Sequence, residues 1–243
     1  MSTTATPSRE AATAEVRFVS NRDESCRMFR SDLLERLSHV HPVVPHLLFI
    51  PVVLAMVTLA VRAGQGIGAI GLLVTTGLLV WTVTEYVIHR YAFHPPQWVE
   101  DETRAVTASL APGEPVIPAL PGLRHKFYFL VHGVHHDYPN DSTRLVMPPS
   151  VSIPLSILFF LGFQSVLGGL AYGAFAGFMV GYLFYDTTHY MTHNVSGKTA
   201  LGRYQKKRHF RHHYADSEKD YGVSSPLWDA ILGTMGRSGR SAA

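Results

Sequence analysis

Apolar positions along the chain gather in four runs. Residues 43–61 read VVPHLLFIPVVLAMVTLAV and residues 67–88 read IGAIGLLVTTGLLVWTVTEYVI, with only RAGQG between them. Residues 149–167 and 170–188 form a second pair, joined at Gly168 and Gly169. Each run has roughly the 20 residues that a helix needs to cross a ~30 Å hydrocarbon core. Buried helices of soluble proteins are seldom so long and so uniformly apolar. The pattern predicts an all-α integral membrane protein, with four transmembrane helices in two hairpins.

The text around the runs is polar. Residues 27–41, RMFRSDLLERLSHVH, place Phe29, Leu33, Leu34, Leu37 and Val40 on one side of a helix, away from Arg30 and Arg36. An interfacial amphipathic helix is expected over 26–42. Residues 1–25 are small and polar with no apolar signal-peptide core, and are expected to form a disordered tail. Residues 43–243 then make one membrane domain, with a polar cap built from 89–148 and 189–236. Within the cap, 95–124 is rich in proline and is expected as a loop. Pro95 and Pro96 stop the helix that carries His94.

Charge orients the spans. Of the 21 Lys and Arg, all but Arg62 lie in the N-terminal segment, in 89–148 or in the C-terminal segment. With four spans these three segments share one face, and the basic bias makes it the cytosolic one. The formal charge of +3 and the lack of a basic stripe argue against nucleic-acid binding. A lone cysteine, Cys26, excludes an intrachain disulfide framework.

Histidine is over-represented, with 14 residues, and ten of them fall in four clusters. HRYAFH holds His89 and His94; HGVHH holds His132, His135 and His136; HYMTH holds His189 and His193; HFRHH holds His209, His212 and His213. All ten lie on the cytosolic side of the predicted spans. Neutral imidazole is a ligand for zinc, iron, copper and nickel. An i, i+4 pair on one helical face reaches one metal, and the middle residue of an HxxHH trio reaches a second. Ten ligands suit two metals with about five each. Glu85 and Asp186 stand one turn before His89 and His189, where a carboxylate would accept the second N–H of a ligating imidazole. His39, His41, His46 and His125 read as interfacial or structural.

The four clusters, with DYPNDSTRLVMPP after the second and YADSEKDYGVSSPLWDAILGT after the fourth, resemble the membrane fatty acid hydroxylase superfamily over residues 80–236. The text around Asp141, Arg144, Pro148 and Trp228 is most similar to the sphingolipid fatty acid 2-hydroxylases. The resemblance implies four transmembrane helices under a cytosolic helical cap that holds a histidine-rich dimetal site. It implies one metal on His89, His94, His132, His136 and His212, and another on His135, His189, His193, His209 and His213. Tyr185 and Asp186 match a pair near the reacting carbon. Many relatives carry a fused cytochrome b5 domain; HPVV at 41–44 is not the haem-binding HPGG, so electrons are expected from a separate donor of cytochrome b5, ferredoxin or reductase type. The loop between His94 and His132 is longer than the resemblance leads one to expect.

The expected activity is O2-dependent 2-hydroxylation of the fatty acyl chain of a ceramide or related membrane lipid. Side chains alone cannot oxidise an unactivated C–H bond, whereas iron with O2 can. Zinc, which has no redox chemistry, is expected only as a substitute in purified protein. Hydroxylation or desaturation of a sterol, sphingoid base, ornithine lipid or carotenoid is the main alternative. A metal transporter would place ligands near mid-bilayer, and a zinc hydrolase would need far fewer of them.

Overall fold

The structure, a computed structural model, describes residues 17–195 and 197–236. Eleven α-helices are formed among these residues, with no strand. A short α1 (Asp32–Ser38) precedes the long apolar α2 (Val44–Arg62) and α3 (Ile67–Val87). The cap follows, with α4 (Gln97–Ser109), α5 (Val116–Ala119), α6 (Leu123–Tyr128) and α7 (Val134–Asp137). Then come α8 (Pro149–Leu167) and α9 (Ala171–Asn194), and last α10 (Ala200–Tyr214) and α11 (Leu227–Ile231).

Three stretches are long and apolar enough to cross a bilayer: Val44–Arg62, Ile67–Phe93 and Pro149–Asn194. The chain is a membrane protein. The third stretch is 46 residues long and is interrupted by a 3-10 turn at Gly168–Leu170. There Gly168 has φ +54°, a left-handed conformation suited to glycine. Helices suit this solvent because each backbone N–H and C=O is satisfied within the segment. The hydroxyls of Thr75, Thr76 and Thr84 donate to the carbonyls of Gly71, Leu72 and Val80 four residues back.

Helix α9 lies at the centre and packs on α2, α3 and α8. Its approach to α3 is backbone on backbone. A Cβ on Gly77 would stand 1.8 Å from the Ala174 carbonyl oxygen, and one on Gly177 would stand 1.9 Å from that of Val74. Small residues at four-residue spacing permit such close crossings where no water drives association. Above and below the contact Phe49, Trp81, Phe175, Phe178 and Tyr182 fill the core. Trp81 meets Phe178 edge-on at 5.1 Å.

The cap departs from expectation in two places. The helix expected over 26–42 is confined to Asp32–Ser38, and the chain before it runs along the cap. Val19 and Ser20 both donate to the Asp137 carbonyl, Ser142 donates to Asp23, and Val116 and Ile117 donate to the carbonyls of Arg27 and Met28. Residues 17–25, expected as part of a tail, are thus bonded; residues 1–16 lie outside the described residues. Met28 is buried with Val116, Leu120, Phe129 and Val134, which pulls this strand of chain out of a helical register. The second departure is α4, a 13-residue helix inside the expected loop. No proline or glycine falls between Gln97 and Ser109, and Val99, Thr103 and Thr107 bury one face.

Candidate metal centre

Two of the four histidine clusters sit where an α-helix gives way to a π turn. After α3 the chain widens into a π-helical turn, Ile88–Phe93, that contains His89 and ends at His94. A π turn bonds i to i+5, so a residue five positions on returns near the same side. The HRYAFH spacing is thereby brought to one point, which an ordinary α-helix would not do. His94 itself is extended (φ −104°, ψ 101°), as the following Pro95 requires. A second π turn, Phe129–Gly133, carries His132 and runs into α7 with His135 and His136. His189 and His193 stand at i, i+4 near the end of α9, and His209, His212 and His213 on α10.

The ten imidazoles form two groups of five. In the first, His89, His94, His132, His136 and His212 each bring one ring nitrogen within 4.8 Å of the others. In the second, His135, His189, His193, His209 and His213 do the same. Both trios divide alike, with the outer i, i+4 pair in one group and the middle residue in the other. Nine of the ten are buried, and His94 is intermediate.

Inside the first group the Nε2 atoms lie 3.1 Å apart for His89 and His132, 3.0 Å for His132 and His136, and 3.0 Å for His94 and His212. In the second the spacings are 2.9 Å for His135 and His189, 2.7 Å for His193 and His209, and 3.0 Å for His209 and His213. Two imidazole nitrogens about 2.1 Å from one ion and a right angle apart are about 3.0 Å from each other. The other ring nitrogen decides what these contacts are. Nδ1 of His94 donates to Glu100 Oε1 (2.8 Å), Nδ1 of His212 donates to the Lys219 carbonyl (2.7 Å), and Nδ1 of His89 donates to the Tyr221 carbonyl. With the proton on Nδ1, the Nε2 of all three is a bare lone pair aimed at the others. Converging lone pairs repel unless a cation lies among them, so the donor set fits a metal ion.

Burial, and after it the neighbouring imidazoles, holds His132, His135, His136, His209, His212 and His213 well below the ordinary histidine value of 6.5. These rings are neutral near pH 7, the form that binds metals.

The chain resembles known proteins over most of its length. The Fatty acid hydroxylase family model matches residues 121–234. A dihydroceramide fatty acyl 2-hydroxylase of Arabidopsis thaliana is 32% identical over 213 residues, covering 87% of this chain and 81% of the relative. The chain belongs to the fatty acid hydroxylase family. The ceramide very long chain fatty acid hydroxylase of Saccharomyces cerevisiae is 35% identical over 159 residues, which span 65% of this chain and 36% of that protein. The solved hydroxylase domain of full-length Scs7p is 30% identical, with a TM-score of 0.73 over 90% of this chain and 75% of that one.

In this hydroxylase Tyr185 and Asp186 line a cavity of about 60 Å³ together with His132 of the first group and His135 and His189 of the second. The Tyr185 ring lies nearly parallel to His189, with centroids 5.7 Å apart. A larger cavity of about 240 Å³ shares Val131, His135, Arg144 and Val146 with the small one, and reaches Leu34 and Leu37 of α1. Arg144 between them is held by Glu35, by the Cys26 carbonyl (2.7 Å) and by Ser38 Oγ (3.1 Å).

The carboxylates differ from expectation. Glu85 accepts from the backbone N–H (2.8 Å) and the hydroxyl of Ser224 and bonds no histidine. Among the described residues Asp186 forms no ion pair with a histidine, and its Oδ2 has no hydrogen-bond partner. The carboxylate that does meet a clustered histidine is Glu100. His125 pairs instead with Glu102 (3.1 Å), His39 with Thr143 Oγ1 (2.6 Å) and His46 with Thr187 Oγ1 (2.9 Å), all outside the two groups. Asp229, also unforeseen, accepts from the N–H groups of Tyr221 and Gly222 (both 2.9 Å) and so fixes the carbonyl that His89 uses.

Proposed function

We propose that the protein is an O2-dependent dimetal hydroxylase that places a hydroxyl group on C2 of a fatty acyl chain, in a ceramide or a related acylated membrane lipid. The observation that carries this reading is the cavity of about 60 Å³ that touches both five-histidine groups and is walled by Tyr185 and Asp186. Its relatives' names point to the same substrate class. His89, His94, His132, His136 and His212 would hold one iron, and His135, His189, His193, His209 and His213 the other. Bound iron supplies the activation of O2 that an unactivated C–H bond demands. The chain's own part is placement. The cavity of about 240 Å³ accepts the acyl chain from the membrane side, past Leu34 and Leu37. Tyr185 and Asp186 orient the carbonyl-bearing end so that C2 meets the metal face. Buried walls exclude water. One oxygen atom enters the C2–H bond and the other leaves as water, with two protons and two electrons supplied from outside. A separate cytochrome b5, ferredoxin or reductase-type protein gives the electrons.

The topology that serves this reaction is four spans in two hairpins, with the termini and cap in the cytosol. The packing of Phe160 on Phe175 and of Phe159 on Phe178 across the Gly168 turn supports two crossings within Pro149–Asn194. The distribution of Lys and Arg along the sequence, all outside the hairpin turns except Arg62, supports this orientation. Zinc in purified protein would be a substitute.

The test is expression in a host fed labelled ceramide or labelled free fatty acid, with the new hydroxyl located by fragmentation. A hydroxyl at acyl C2 is expected. One on a sphingoid base, a sterol ring or a headgroup would overturn the substrate while leaving the dimetal oxygenase standing.

A further inference from the structure

Helix α4 is set in the 95–124 segment, expected from the sequence as a loop. One of its side chains reaches the first histidine group, and a second at i+4 reaches the residue beside it. Glu100 accepts from His94 Nδ1 at 2.8 Å, and Arg104 meets Asp137, the residue after His136, at 3.3 Å. Glu100 is 2% exposed, and its second oxygen accepts from Ser217 Oγ at 3.4 Å on the segment after α10. Four of the five histidines of the second group lack such support: Nδ1 of His135, His193, His209 and His213 is buried with no hydrogen-bond partner among the described residues.

The structure assigns to Glu100 the role of positioning residue for the first metal site, with α4 as the brace that brings it there. The inference rests on the reading of that group as a metal site. His94 is the ligand most in need of such a brace. It lies past the end of the π turn, is extended, and is the one least buried. A carboxylate on Nδ1 fixes the tautomer with its lone pair on Nε2, holds the ring plane and raises the basicity of the ligating nitrogen. The neighbouring acid Glu102, on the same helix, turns to His125 instead and touches neither group.

The experiment compares full-length protein, purified in detergent, as wild type, Glu100→Ala, Glu100→Gln and Glu102→Ala. The readouts are metal content by elemental analysis and metal retention against a chelator. Wild type and Glu102→Ala are expected to keep two metals. Glu100→Ala should weaken one of them by about 10- to 100-fold and leave the other unchanged. Glu100→Gln keeps an acceptor oxygen and should recover most of the loss. The affected site is identified by pairing: Glu100→Ala added to His94→Ala should cost nothing further, whereas added to His193→Ala it should weaken the remaining metal by the same factor, about 10- to 100-fold. Equal loss of both metals in Glu100→Ala, or equal failure of Glu102→Ala, would reduce α4 to a general structural part and overturn the inference. So would two metals held as tightly in Glu100→Ala as in wild type. Wild type without histidine-bound metal would overturn it together with the reading on which it rests.

Discussion

His212 and His135 are the middle members of their trios, and each crosses to the group that its helical neighbours do not join. Replacing either with alanine removes a nitrogen that no adjacent side chain can replace. His212→Ala and His135→Ala should each abolish turnover, and elemental analysis should find the loss in the first and second site respectively. The same residues set a pH limit. Imidazoles held below 6.5 stay neutral in the folded protein while those of an unfolded chain take up protons. Their contribution to stability is therefore complete above pH 6.5 and falls as pH drops below it through the folded values. Thermal unfolding in detergent should show a plateau above about pH 7 and a declining midpoint below about 6.5, with metal released in the same window. The histidines themselves were legible in the sequence because ligand chemistry leaves a dense, spaced signature. Their partners were not. Glu85 is one turn from His89 in the sequence, yet Ser224 claims it from 139 residues away. Glu100 hides behind two prolines, and only the fold shows that the chain doubles back to His94.

At the scale of elements, the glycine contact between α3 and α9 carries the most weight. Helix α9 bears His189 and His193, so its distance from α3 sets where they stand. Gly177→Val would drive a side chain into the Val74 carbonyl; overpacking costs about 1–3 kcal/mol where a core can adjust, and backbone adjusts poorly. Lower yield and loss of metal from the second group are expected. Gly162→Ala, whose added Cβ meets nothing within 4 Å, should behave as wild type in the same expression and metal assays. The salt bridge of Arg208 with Asp229 (2.7 Å) anchors α10 to the segment that presents Tyr221 to His89. Asp229→Ala leaves the buried Arg208 guanidinium to Asp220 alone (3.3 Å) and frees the N–H groups of Tyr221 and Gly222, and should lower the unfolding midpoint. Apolar runs were legible because lipid demands them without exception. Helix α4 was masked by the prolines at 95, 96, 112, 115, 118 and 121, which frame it and give the whole segment the composition of a loop.

For the whole molecule, the orientation proposal can be tested with little disturbance. Cys26 is the sole cysteine, and burial pushes its thiol up to about 12. Thiol reagents attack the thiolate, so the native residue should stay silent at neutral pH. Single cysteines placed at positions 110 and 218, the latter exposed, should label from the same side, and one at position 62 from the opposite side. Labelling of 110 and 218 from opposite faces would refute the four-span topology. The expected side of the membrane rests on Lys and Arg alone, whereas the bonding of residues 17–30 across the cap depended on distant partners such as Asp137 and Asp141 that local pattern cannot name.

The π turn between His89 and His94 sets a rule for how this chain can vary. Ile88–Phe93 accommodates one residue more per turn than the helix that feeds it, and that extra residue is what returns His94 to the metal site. Tyr91 is exposed and Arg90 half-buried, so the letters between the two ligands have room to change. Their number does not. A deletion library through 90–93 should yield chains whose helix is more regular and whose first site is empty, and an insertion library should yield the same loss from the other direction. Substitution and length change, so often tolerated together on a surface, would here part company within four residues.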